Sequence, residues 1–266
     1  MVDTARSDVW AQSASYERYI GRWSRLVAGE FLKWIAIPPG CAWLDIGCGT
    51  GALSQRILES AAPAKVIGVD SSEAFVSHVK AHVADKRAAF RIGDARALPV
   101  GDGEFDAAVS GLVLNFVPDQ AKAVAEMRRA TQPGGTVAVY VWDYAGEMQL
   151  IRRFWDAAIA LNPAARDLDE SVRFPLCQAD LLRSLFASAG LRDAATQTID
   201  VPTVFDNFED YWSPFLDGQG PAPGYCMTLA EADRNSLRDH LRSSLPMEQD
   251  GKIRLIARAW AVQGLV

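Results

Sequence analysis

Along this chain the spacing of apolar residues switches between a helical period and a strand period. Over residues 14–35, Tyr16, Tyr19, Ile20, Trp23, Leu26, Val27, Phe31 and Trp34 fall on one helical face, and Pro38-Pro39-Gly40 ends the run. This predicts a leading amphipathic helix. Short apolar runs then predict strands at about 42–46, 65–69, 88–92, 105–110 and 136–142, with helical patterns near 51–60, 73–84, 119–130 and 178–189 between or after them. Parallel strands joined by right-handed helical crossovers make a doubly wound α/β sheet. Two late strands, about 193–201 and 252–262, stand apart because a long segment separates them.

The first strand-to-helix turn carries the most chemistry. Trp43-Leu44-Asp45-Ile46-Gly47-Cys48-Gly49-Thr50-Gly51 is an apolar run ending in an acid, followed by three alternate glycines that lead into a helix near Ala52. Glycine serves where backbone approaches a ligand or takes positive φ, and a helix start presents free N–H groups. The same letters fit the dinucleotide fingerprint G-x-G-x-x-G/A, with Asp70 lying 19 residues past Gly51 in the place of a ribose-binding acid. Asp45 separates the two readings. A carboxylate two residues before the first glycine opposes a pyrophosphate through like charge and desolvation. S-adenosylmethionine suits it better, having no phosphate and carrying an ammonium and a sulfonium.

The stretch Trp43–Gly51 resembles the first motif, hh[D/E]hGxGxG with h apolar, of the class I S-adenosylmethionine-dependent methyltransferases. The chain looks most like their methyltransferase type 11 and ubiquinone-menaquinone biosynthesis branch. Further landmarks follow in family order: the strand Val66–Val69 ending in Asp70-Ser71, the turn Gly93-Asp94-Ala95, the strand start Phe105-Asp106, and Pro133-Gly134-Gly135 before the fifth strand. The resemblance implies a Rossmann-like, seven-stranded, mostly parallel sheet of order 3-2-1-4-5-7-6, its last strand antiparallel, with helices on both faces. It also implies S-adenosyl-L-methionine as cofactor, leaving as S-adenosyl-L-homocysteine. Asp45, Gly47, Cys48, Gly49, Gly51, Asp70, Ser71, Asp94, Ala95, Ser110 and Gly111 would hold it. In the family the strand-end acid, here Asp70, accepts ribose hydroxyls, the Asp of G-D-A receives the adenine amino group, and the residue at Cys48 contributes only backbone.

Composition adds limits. With 266 residues, 49% of them apolar, the chain can bury a substantial core, and one domain over 1–266 is expected. A net charge of −6 and a pI near 5.2, with no basic run longer than Arg128-Arg129 or Arg152-Arg153, argue against a nucleic acid partner. The apolar strings are strand-sized and the first residues have no apolar signal core, so neither membrane spanning nor secretion is expected and the cytoplasm is the default. Cys41, Cys48, Cys177 and Cys226 show no ligand spacing, which favours reduced thiols. His78 and His82 stand i,i+4 without an evident third ligand, so no metal is expected.

Acceptor chemistry is less legible. Ligands of open α/β sheets bind beyond the C-terminal strand ends, which here means Gly111–Phe116 and Trp142-Asp143-Tyr144. Related small-molecule methyltransferases often read L-H-W-V-P-D where this chain reads Leu114-Asn115-Phe116-Val117-Pro118-Asp119. Asn115 can orient or polarise an acceptor but cannot take its proton, which leaves that part to Asp143, to Tyr19 of the leading helix, or to no residue if the acceptor arrives already ionised. A helix-start or loop hydrogen bond is the other reading of Asn115.

A helical cover over 1–37 and two insertions, 144–176 and 204–250, are expected to form a substrate lid. Tyr16, Trp23, Trp142, Tyr144, Tyr211, Trp212 and Phe215 are its candidate substrate contacts. Aromatics this dense suggest a dry pocket, although a satellite core or a dimer surface would use the same residues. The expected function is methylation of an apolar or aromatic small molecule by a monomer or homodimer. Against it stand methylation of tRNA or protein, which a basic surface would accompany, and non-catalytic cofactor binding, which fold alone does not exclude.

Overall fold

The computed structural model describes residues 17–218 and 220–266. The strands are β1 (Ala42–Ile46), β2 (Lys65–Asp70), β3 (Ala88–Ile92), β4 (Phe105–Gly111), β5 (Thr131–Trp142), β6 (Arg192–Phe205) and β7 (Ile253–Leu265), in one sheet of order β3-β2-β1-β4-β5-β7-β6. Neighbours from β3 to β5 pair in parallel, whereas β7 runs antiparallel to β5, with Thr136 opposite Leu265 and Trp142 opposite Ala259. This is the order and polarity that the family resemblance implies.

The chain divides into two compact units, one built from Trp23–Asp143, Phe174–Val201 and Arg258–Val266, the other from the remaining residues up to Arg22, Tyr144–Arg173 and Pro202–Ala257. In the sheet unit, β1, β4 and most of β5 are buried on both faces, as central parallel strands are when helices cover both sides. Helix α1 (Arg22–Ile35) buries Val27, Ala28 and Phe31, and the Phe31 ring packs 4.7 Å from that of Tyr140. Helices α2 (Ala52–Ser60), α3 (Glu73–His82) and α4 (Gln120–Ala130) follow β1, β2 and β4. Ser72 caps α3 by accepting from Phe75 N–H, and Asp119 caps α4 by accepting from Lys122 N–H. Strand β5 starts earlier than its apolar run: Thr131 pairs with Phe105, the Pro133-Gly134-Gly135 turn then loops out with Gly134 at φ +81°, and pairing resumes at Ala107–Thr136.

The helical unit comprises the π-helical turn Glu17–Gly21, α5 (Gln149–Leu161), the 3-10 turn Pro163–Leu168, α6 (Glu170–Arg173), α8 (Phe208–Trp212), the 3-10 turn Ser213–Asp217, α9 (Pro221–Thr228) and α10 (Glu231–Ser244); α7 (Ala179–Ser188) belongs to the sheet unit. Aromatic rings form its interior. Phe154 stacks on Phe215 at 4.5 Å and 13°, Tyr19 meets Phe215 edge-on at 5.5 Å, and Tyr211 meets Phe205 at 5.3 Å. Among the described residues, no helix is long and apolar enough to cross a membrane.

Candidate active site

The loop between β1 and α2 is built on three left-handed glycines, Gly47 at φ +72°, Gly49 at +51° and Gly51 at +94°, and Gly51 is the N-cap of α2. Gly47 and Cys48 both donate to Val69 O, at 2.7 and 3.1 Å, which ties the loop to the end of β2. A Cβ at Gly47 would come within 2.5 Å of Val113 Cγ1, and one at Gly51 within 2.6 Å of Val79 Cγ2, so protein fills those two positions. Gly49 differs. Its Cβ would meet only Gly47 O at 3.9 Å, so the middle of the loop offers bare backbone facing open space.

Two acids flank this loop. Asp70 accepts from Gly49 N–H at 2.9 Å with Oδ2 and from Ser72 N–H at 2.8 Å with Oδ1, and burial raises its carboxyl against the pull of those two donors. Lone pairs remain on both oxygens for further donors. Asp45 is 1% exposed; Oδ2 accepts from Ser54 Oγ at 2.6 Å and Oδ1 has no hydrogen-bond partner. Burial pushes its carboxyl up to about 7, the charge of Asp70 adding to the rise and the Ser54 hydrogen bond opposing it.

The segment after β4 packs on the same loop. Ser110 Oγ donates to Ile46 O at 2.8 Å, and Gly111 lies so close to the Tyr140 ring that a Cβ there would overlap it. Leu112 follows at φ +62°, a left-handed conformation that costs a leucine about 1–2 kcal/mol. Strain of this kind concentrates where a chain must present particular atoms. Here it places Val113 against Gly47 and opens the 3-10 turn Leu114–Phe116, in which Asn115 is 5% exposed. Neither amide atom of Asn115 has a hydrogen-bond partner.

Other candidates distribute differently. Ser71 is exposed and Ala95 half-buried. Asp94 is solvent-facing, and Arg96 takes both of its oxygens, at 3.0 and 2.7 Å, holding the carboxyl down at about 2. Burial drives the Cys48 thiol up, with the charges of Asp45 and Asp70 adding to the rise, so no thiolate forms there. Trp23, Trp142 and Asp143 are buried in the sheet unit, where Asp143 N–H donates to Arg258 O at 2.9 Å. Among the described residues, no group of three His, Cys, Asp or Glu side chains could hold a metal ion.

In the helical unit Tyr19, Tyr144, Tyr211, Trp212 and Phe215 are buried. Tyr211 Oη donates to Leu150 O at 3.0 Å, and its ring, like those of Trp212 and Phe215, packs on other rings of the unit. Burial, with the charge of Glu170 adding to it, raises the Tyr19 phenol well above its ordinary value. Tyr16 lies outside the described residues. Ser54, Val113 and Arg96 were not legible as site-shaping residues; only the two-residue spacing of Asp94 and Arg96 offered a signal.

A doubly wound sheet, a left-handed glycine loop at a helix start and acids at the ends of β1 and β2 define a nucleoside-cofactor-binding α/β protein. S-adenosylmethionine fits these residues: Gly49 leaves room for a ligand against the loop, and the unpartnered oxygen of Asp45 suits a cation. The family model for a methyltransferase domain matches residues 44–139. An uncharacterized Mycobacterium tuberculosis protein is 32% identical over 204 residues, 74% of this chain and 73% of that one. The 2-methyl-6-phytyl-1,4-hydroquinone methyltransferase of Synechocystis is 30% identical over 69% of this chain, which spans 57% of that protein's length. The trans-aconitate 2-methyltransferase of Variovorax paradoxus is 28% identical over 92% and 93% of the two chains. A Haemonchus contortus phosphoethanolamine N-methyltransferase 2, solved with S-adenosyl-L-methionine, superposes with a TM-score of 0.58 at 16% identity over 95% of this chain and 56% of that one, a likeness of fold. The chain belongs to the S-adenosylmethionine-dependent methyltransferases of class I.

Proposed function

We propose that this protein transfers a methyl group from S-adenosylmethionine to an apolar or aromatic small molecule. The observation that carries the reading is Asn115, a buried amide with a free donor and a free acceptor on the strained segment that packs against the glycine loop. Such a group costs about 1–3 kcal/mol unless something pairs with it, and an acceptor hydroxyl pairs with both of its functions. The names of two relatives support a small organic acceptor, one a substituted hydroquinone and the other trans-aconitate. The acidic charge of −6 supports a small molecule over RNA.

Bound S-adenosylmethionine supplies an electrophilic methyl group on a sulfonium. The residues here act by holding and aligning, which for a displacement at carbon provides most of the rate. Gly47–Gly51 would give the cofactor a close backbone surface, Asp70 a ribose contact, Asp94 and Ala95 an adenine edge, and Asp45 a counter-charge for the ammonium. Asn115 would orient the acceptor and Asp143 would take its proton. Turnover with S-adenosylmethionine over a panel of hydroquinones, phenols and polycarboxylic acids, run beside total RNA and protein, tests the reading. Methylation of a ring hydroxyl or ring carbon is expected; methylation confined to RNA or protein overturns it.

The Asp45 assignment gives a pH dependence. A cationic ligand favours the ionised acid, so affinity for S-adenosylhomocysteine should rise about tenfold between pH 6 and 8 as a carboxyl titrating near 7 ionises, and should level off above that. The ligand-free protein behaves oppositely. Because folding raises this group from its ordinary 3.8, the folded state binds the extra proton, and its stabilising effect fades as pH rises from about 4 to 7. Calorimetric titration across this range checks both, and a slope that persists in Asp45→Asn would remove the assignment.

A further inference from the structure

Inside the helical unit lie two polar groups that the cofactor site does not use. Tyr19 is 1% exposed, and its hydroxyl has no hydrogen-bond partner. Glu170, the first residue of α6, is equally buried and accepts from Trp155 Nε1, and it lies within electrostatic reach of the Tyr19 phenol. The chain fixes Glu170 from behind: Arg152 on α5 pairs with Asp169 at 2.8 Å, and Asp169 Oδ1 accepts from Ser171 N–H at 2.8 Å, setting the start of α6. Aromatic rings pack beside both groups: Phe215 lies 5.5 Å from the Tyr19 ring and stacks on Phe154, and Trp155 lies 5.3 Å from Tyr225.

Burial pushes the Glu170 carboxyl up to about 8, so at neutral pH it carries a proton and can donate. The charged and titratable groups acting on it are Asp169, Arg173 and Tyr19, with Arg152 tied to Asp169; those acting on Tyr19 are Glu170, Tyr144, Tyr211 and Cys226. Two neutral O–H groups beside aromatic rings match a flat ring bearing an uncharged oxygen, and they disfavour an anion, which would lose its hydration on entering.

We propose that Tyr19 and Glu170 form a recognition subsite within the helical unit for the neutral hydroxyl or carbonyl oxygen of an aromatic or quinol ring, Glu170 donating a hydrogen bond and Tyr19 donating or accepting one. The proposal rests on the small-molecule acceptor reading and names the chemistry by which that acceptor is chosen. Tyr19 thereby acts as a positioning residue and keeps its proton.

Equilibrium binding of 2-naphthol to the full chain saturated with S-adenosylhomocysteine tests this, with naphthalene as the ligand that lacks the oxygen. The parent should prefer 2-naphthol by about tenfold at pH 7, and the preference should fall several-fold by pH 8.5 as Glu170 ionises. Tyr19→Phe, which removes only an unpaired hydroxyl, should melt no lower than the parent and lose most of the preference. Glu170→Gln, which keeps a donor but cannot ionise, should keep the preference and lose its pH dependence. S-adenosylhomocysteine affinity should be the same in all three. Equal binding of the two ligands, a parent that holds S-adenosylhomocysteine but not 2-naphthol, or an unchanged pH slope in Glu170→Gln overturns the subsite. A chain that shows the expected 2-naphthol pattern yet methylates only RNA or protein supports the subsite and overturns the acceptor reading instead.

Discussion

Gly49→Val should abolish cofactor binding and leave the fold standing. The backbone at Gly49 is left-handed, φ +51°, and its Cβ position meets only Gly47 O at 3.9 Å. The substitution therefore costs about 1–2 kcal/mol of backbone strain, a fraction of the roughly 5–15 kcal/mol that holds a domain together. Its methyl groups fill the space where a ligand would approach the loop. Titration calorimetry should show at least a 100-fold loss of S-adenosylhomocysteine affinity, with a melting temperature lowered by only a few degrees. Gly47→Val should behave differently, because the new side chain runs into Val113 at 2.5 Å and the fold itself must give. Undiminished affinity in Gly49→Val would mean that the loop is not the cofactor surface.

Asn115→Leu should separate stability from activity in the opposite sense. Leucine is close to asparagine in size, and it removes two buried polar atoms that have no partner in the protein. The ligand-free protein should gain about 1–3 kcal/mol. Turnover on an identified acceptor should fall at least 100-fold while S-adenosylhomocysteine affinity changes less than threefold. A residue that only held its loop together would show the reverse, a lower melting temperature with turnover following it. Thermal melts and steady-state kinetics on one preparation distinguish the two, and full turnover in the stabilised variant would remove Asn115 from the site.

Legibility in the sequence followed the range of the interactions involved. The strands over 42–46 and 88–92 and the helices near 73–84 and 119–130 were readable because their apolar periods are local, as are the Ser72 and Asp119 caps that begin those two helices. The glycine loop was readable because three residues in five must take conformations that other side chains resist. Strand β5 was misjudged at its start, since Thr131 joins the sheet ahead of a Pro-Gly-Gly loop that reads as a boundary. The leading helix reads as one amphipathic run, yet its described part opens with a π-helical turn over Glu17–Gly21.

Site details that depend on distant packing left no trace in the sequence. Nothing near Asn115 announces that both amide atoms will be buried without partners, because Gly47 and Val113 must first come together. Nothing local to Glu170 announces its burial, which brings it to Trp155, 15 residues away, and within electrostatic reach of Tyr19. The dense aromatics between 205 and 225 could be located but not assigned, because a core and a pocket use the same rings. In the helical unit these rings pack on one another.

The route of the chain between its two units has an evolutionary consequence. It crosses from one to the other at 22/23, 143/144, 173/174, 201/202 and 257/258, and the register of β1 to β5 is set wholly within the sheet unit. The helical segments between crossings can thus lengthen, shorten or be exchanged between relatives at little thermodynamic cost, since closing a longer loop adds only about 0.6 kcal/mol for each doubling of its length. A lineage of such proteins can keep one cofactor loop through recombination while the inserted helices diverge. The family model's match over residues 44–139 lies wholly within the sheet unit, and the inserted helices are where the histories of individual acceptors should be sought.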